Sequence, residues 1–198
     1  SLLVRVVSKM ELKILRYLQK AGKKKKFWIF ASFVIPSAFI GIFIHEFLGH
    51  ALTGVLLGGK FERFTLFSGG VVAQVYISGL GQSERGIMLL AGSLVNFGAS
   101  AAIAFLLMSR IRNFWLRALG FWTGIWGALD FPFYAIFGAL GIRHWIIIGG
   151  VGEPQLGLEL LRVPEILAPI IGALMLPILI KYYQLFGEML LNITVRKD

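Results

Sequence analysis

Two histidines and a carboxylate stand within six residues, His45-Glu46-Phe47-Leu48-Gly49-His50. Imidazole nitrogens bind zinc, and a glutamate beside the metal can take a proton from water, the chemistry of metal-dependent hydrolysis. These three are the only ionisable side chains between Phe27 and Gly59, in one of the most apolar stretches of the chain. Carboxylates and basic groups at the centre of a membrane helix cost roughly 2.5–3.5 kcal/mol each on insertion scales, so an intramembrane cluster of them is a functional site by default. The expectation is a bound metal ion and a hydrolytic site within the bilayer.

The spacing sets a geometric problem. A zinc-hydrolase helix places its histidines four apart, about 40° around the axis, with the intervening glutamate as base. Here they are five apart, about 140° on a regular helix. Two arrangements repair this. A one-residue π-bulge, with Gly49 a suitable place for it, returns His45 and His50 to a shared face. Alternatively Glu46 and His50, four apart, are the ligands and His45 stands behind them. A catalytic zinc also takes a third protein ligand. The candidates are Asp130, deep in an apolar run; Glu153, in the loop Gly149-Gly150-Val151-Gly152-Glu153-Pro154; and His144, beside Arg143 and Trp145. Asn96 either packs or lines the site.

The remaining sequence must hold these groups in lipid. Of 198 residues, 57% are hydrophobic and 15% charged, too apolar for an ordinary soluble domain. Cysteine is absent, which excludes thiolate ligands, a cysteine nucleophile and disulfides. The net charge of +10 does not point to nucleic acid, because nine of the twenty basic residues fall in the first 26 positions, beside an apolar span. That pattern suits anionic lipid headgroups. Residues 2–20 place Leu3, Val7, Met10, Ile14 and Leu18 near one helical face, as in an amphipathic interfacial helix.

Four apolar segments follow: Phe27–Gly59, Gly86–Ser109, Ala118–Gly141 and Pro164–Ile180. The second is rich in small residues, which let helices approach closely in lipid. Between the first two, Lys60–Ser78 reads as a short hairpin around Ser68-Gly69-Gly70. The fold expected is therefore a mainly α membrane protein of about four transmembrane helices, with a β-hairpin after the first and an N-terminal amphipathic helix. Residues 1–26 form the basic interfacial segment and 27–198 a single polytopic domain. With four crossings, the N-terminus, the 110–117 loop and the tail share one side and carry nine, three and three of the basic residues, which predicts a cytoplasmic N-terminus.

The residues resemble a known family at this point. His45–Gly59, HEFLGHALTGVLLGG, is similar to the His-Glu-x-x-His helix of the site-2 proteases, intramembrane zinc metallopeptidases, with one more residue between the histidines. Ala91-Gly92-Ser93-Leu94-Val95-Asn96 is similar to the family's Ala-Gly-Pro-x-x-Asn segment, with Ser93 where proline is common, and the hairpin sits where the family has strands. The resemblance covers about residues 28–160. It implies zinc as cofactor, cleavage of peptide bonds in or near transmembrane segments, His45 and His50 as ligands and Glu46 as base. The family's later Asp-Gly ligand is matched most nearly, by position, at Glu153, with Asp130 near the place of a preceding Asn-x-x-Pro element. The partners implied are the lipid bilayer and a membrane-protein substrate, without nucleic acid. The alternatives are a catalytically inactive relative that binds metal or partners, and an ion transporter lined by Glu46, His50 and Asp130.

Overall fold

A computed structural model describes residues 24–68, 71–141, 144–145, 149–150 and 152–195. The amphipathic helix expected over residues 2–20 lies outside the described residues. The fold is mainly helical: α1 (Lys24–Ser32), α2 (Val34–Phe43), a π-helical segment (Ile44–Ala51) and α3 (Leu52–Leu56) form one nearly continuous rod. Strands β1 (Lys60–Ser68) and β2 (Val71–Ser78) follow, then α4 (Gln82–Arg110) and α5 (Phe114–Ala139). Two short strands, β3 (His144–Trp145) and β4 (Gly149–Gly150), precede α6 (Glu153–Leu160) and α7 (Leu167–Val195). Three helical stretches are long and apolar enough to cross a membrane: Trp28–Leu56, Gln82–Arg110 and Leu167–Met189. They mark the chain as a membrane protein. Helix α5 is also long but is not one of these three; tryptophans, glycines, Arg117 and Asp130 interrupt its aliphatic residues.

The rod is interrupted between α1 and α2 because Pro36 has no N–H to offer the Ser32 carbonyl. On both sides of the break, Trp28, Ile35, Phe39, Phe43, Leu48, Leu52 and Leu56 are exposed, an apolar surface suited to lipid. The opposite side is tied to α5 by indole hydrogen bonds, Trp122 Nε1–H to the Phe30 carbonyl (3.0 Å) and Trp126 Nε1–H to the Val34 carbonyl (3.1 Å).

The α4–α5 seam is built from small residues, as the sequence of α4 leads one to expect: Gly124 and Gly127 of α5 lie against Ala104 and Ser100 of α4. Helix α5 starts four residues before the expected span. Asn113 caps it, its Oδ1 accepting from the amides of Trp115 (2.9 Å) and Leu116 (3.3 Å). Arg117, expected in a basic loop, is consequently buried in the helix, where its guanidinium donates to the Ile111 and Met189 carbonyls. The last helix also runs past the expected end at Ile180, because Tyr182, Tyr183, Phe186 and Met189 continue its inward face onto a core of Phe30, Met108, Ala118 and Phe121.

The hairpin is amphipathic. Antiparallel pairs Phe61–Ile77, Phe64–Val75 and Leu66–Ala73 form its apolar face, and Lys60–Ser78, Arg63–Tyr76 and Thr65–Gln74 its polar one. An irregularity between Phe61 and Arg63 lets Phe61 and Phe64, three apart, share a face. The apolar face packs on the rod, Phe64 against Phe47 and Ile77 against Gly54 and Gly59.

Candidate metal centre

The π-helical turn decides the placement of the two imidazoles. Bonds from i to i+5 widen the turn so that residues five apart lie one turn apart on the same face. His45 and His50 therefore meet, their rings edge-on with centroids 4.7 Å apart and their Nε2 atoms at 3.0 Å. The turn presses against α4 at two glycines. A Cβ on Gly49 would lie 2.5 Å from the Gly92 Cα, and a Cβ on Gly92 would lie 2.4 Å from His50 Cε1 and 2.7 Å from His45 Nε2. Only a residue without a side chain fits at position 92.

Helix α6 supplies a third group. Its backbone approaches α4 closely, since a Cβ on Gly86 or on Gly157 would meet the other's carbonyl oxygen at 2.8–3.0 Å. The first residue of α6, Glu153, thereby places Oε2 3.1 Å from His45 Nε2 and 3.4 Å from His50 Nε2. Burial alone pushes the Glu153 carboxyl up; protonation of the His50 and His45 rings, with their hydrogen bonds, would outweigh it and hold the carboxyl below its ordinary range.

The outer nitrogens of both rings have fixed roles. His50 Nδ1 lies 2.8 Å from the Met88 carbonyl, which can only accept, so Nδ1 carries the proton. His45 Nδ1 lies 2.7 Å from Asp130 Oδ2. The same oxygen accepts from Asn96 Nδ2–H at 2.7 Å, and Asn96 Oδ1 accepts from the Ser100 hydroxyl at 2.8 Å. Asp130 is thus an acceptor, and His45 Nδ1 also carries a proton. In the neutral rings this leaves a lone pair on each Nε2.

Three lone-pair donors, His45 Nε2, His50 Nε2 and Glu153 Oε2, therefore converge at 3.0–3.4 Å. One proton relieves a single pair among them, whereas a cation satisfies all three. A tetrahedral zinc with arms of about 2.0–2.1 Å has ligand–ligand edges of about 3.3–3.4 Å, close to the observed triangle. The donor set fits the ion. His45, Glu46 and His50 also each offer a donor atom within 4.8 Å of one another, a group able to hold a metal. Glu153 Oε2 lies within 3.4 Å of both Nε2 atoms, and Glu46 Oε2 is already engaged by the Val75 amide at 3.0 Å. The set His45, His50, Glu153 therefore has the tighter geometry, with Glu46 beside it.

Comparisons against protein-family models, curated proteins and solved structures returned no match. The chemistry of the site is read from its own atoms.

Of the residues singled out in the sequence, His45, Glu46, His50, Asn96, Asp130 and Glu153 come together here. Asp130 stands behind His45 rather than in the triangle, with Asn96 behind Asp130. The His144 side chain lies outside the described residues. Tyr134 and the Met88 carbonyl were not foreseen. Tyr134 is one helical turn beyond Asp130, and its ring stacks on His45 with centroids 5.6 Å apart and planes at 24°; the i, i+4 spacing from Asp130 is the one signal that pointed to it. A main-chain acceptor such as Met88 leaves no mark in a sequence.

Groups that orient a ligating histidine typically tune metal affinity 10–100-fold. Asp130→Asn is expected to weaken zinc binding within that range without emptying the site, as read by competition with a chromophoric chelator. An unchanged affinity would detach Asp130 from the centre.

Proposed function

We propose that this protein is an intramembrane zinc metalloprotease, a divergent relative of the site-2 proteases, which hydrolyses peptide bonds in or near transmembrane segments. The observation that carries the reading is the convergence of His45 Nε2, His50 Nε2 and Glu153 Oε2, with Glu46 alongside, on helices apolar enough for lipid. Two imidazoles and a carboxylate are a common catalytic zinc set, which leaves the fourth position for water or substrate. Zinc, when held there, supplies Lewis acidity to water and to the scissile carbonyl.

The chain's own residues do the rest. Glu46 takes a proton from the attacking water as its oxygen joins the carbonyl carbon. It returns that proton to the amide nitrogen as the C–N bond breaks, so peptide and water become a carboxylic acid and an amine. Asp130 fixes the His45 ring, and the Met88 carbonyl fixes His50. Tyr134 and Phe47 flank the turn with aromatic surface. The substrate would lie extended beside β2, by strand addition.

In this reading α5, at 26 residues about 39 Å long, is a fourth crossing. The N-terminus, the 110–117 region and the tail then share a side, and their basic residues place that side in the cytoplasm.

Reconstituted protein should hold one zinc per chain and cut a labelled single-span test peptide in the same vesicles. Chelation should stop the cleavage and added zinc restore it. Full zinc loading without cleavage of single-span peptides would remove the protease reading and leave a metal-binding membrane protein.

A further inference from the structure

The pairing of the hairpin fixes which way the amides of β2 point. In an antiparallel pair, directly opposed residues alternate between those that exchange two N–H···O bonds and those that exchange none. Val75 sits opposite Phe64, yet its N–H donates to Glu46 Oε2 at 3.0 Å. Its amide therefore points away from β1, and Phe64–Val75 is a non-bonded pair. The flanking residues Gln74 and Tyr76, opposite Thr65 and Arg63, direct their main-chain groups to β1. The outer edge of β2 at Val75 thus faces the π-helical turn, and Glu46 occupies the place on that edge that another strand would take.

Glu46 is buried, and among the described residues it accepts no other hydrogen bond. A glutamate has three rotatable side-chain bonds, so the carboxylate's position is set chiefly by this contact. We propose that the Val75 main-chain amide is the positioning group of Glu46: it holds Oε2 on the edge of β2 and leaves Oε1 to receive the proton of the attacking water. The proposal rests on the reading of Glu46 as general base. It gives the hairpin a role beyond covering the rod. The strand that borders the substrate's path also aims the base, through a backbone N–H that every residue except proline carries.

The test removes the Val75 N–H and keeps the side chain. Replacement of Val75 by its α-hydroxy acid turns the N–H into an ester oxygen while keeping the isopropyl group. With the single-span test peptide and zinc-loaded protein in vesicles, kcat should fall about tenfold to a hundredfold, the scale of a slight misplacement of a reacting group, with KM and zinc content unchanged. The same ester at Gln74 removes a rung between β1 and β2 but not the donor to Glu46, so it should leave kcat within about twofold. A second measurement needs no turnover. In zinc-free protein, Glu46→Ala should speed amide hydrogen exchange at Val75 by about tenfold or more and leave Gln74 and Tyr76 as they were. Wild-type kcat in the Val75 ester, an equal loss in the Gln74 ester, or unchanged exchange at Val75 would each overturn the assignment. A zinc-loaded wild type that cleaves nothing would instead sink the protease reading, and the proposal with it.

Discussion

Glu46→Gln should abolish cleavage while the protein keeps one zinc per chain. The substitution preserves the shape of the side chain, and its amide oxygen can still accept from the Val75 N–H, so the contact seen at 3.0 Å survives. What it removes is the capacity to take a proton. General acid–base catalysis typically contributes 10²–10⁴-fold, and Glu46 is asked to act twice, toward water and then toward the leaving nitrogen. The expected loss in kcat is therefore at least about a thousandfold, with metal content and thermal stability near wild type. Cleavage persisting above about a hundredth of the wild-type rate would take Glu46 out of the mechanism.

The second large effect concerns the donors themselves. His45→Ala, His50→Ala and Glu153→Ala each remove one corner of the 3.0–3.4 Å triangle. Each should bring zinc stoichiometry close to zero at a free zinc concentration that saturates the wild type. Asp130→Ala should leave a measurable, weakened site, because Asp130 touches only the outer nitrogen of His45. Elemental analysis after gel filtration decides this directly. Full zinc in the Glu153 variant together with none in the Asp130 variant would exchange the roles given to these two carboxylates. Zinc lost with Glu46 and kept with Glu153 would favour the group His45, Glu46 and His50 instead.

The local features of this chain could be read in advance, and the long-range ones could not. The polar cluster stands out because it interrupts a predominantly apolar stretch of 33 residues, and the odd histidine spacing points to a widened turn where the π-helical segment occurs. The hairpin showed in its alternating residues and its glycines, and its strands occupy the expected Lys60–Ser78. The third donor was undecided between Asp130, Glu153 and His144 because each is far from His45 in sequence. Only the packing of α5 and α6 onto α4 places Asp130 behind a ring and Glu153 in front of it. Gly86 and Gly157, whose close approach sets α6 in position, look in the sequence like any other glycines. Helix ends were misjudged for local reasons: the Asn113 cap draws Arg117 into α5, and aromatic residues after Ile180 extend α7.

The π-helical turn also confines an insertion. One additional residue in a regular helix would rotate everything beyond it by about 100°, carrying Phe39 and Phe43 out of the lipid or the hairpin off its seat. Here the surplus is taken up between Ile44 and Ala51, and the segments on either side keep the phase of a helix one residue shorter. The distortion falls on the turn where His45, Glu46 and His50 must stand side by side, so a change in spacing that would scatter the three groups elsewhere leaves them gathered.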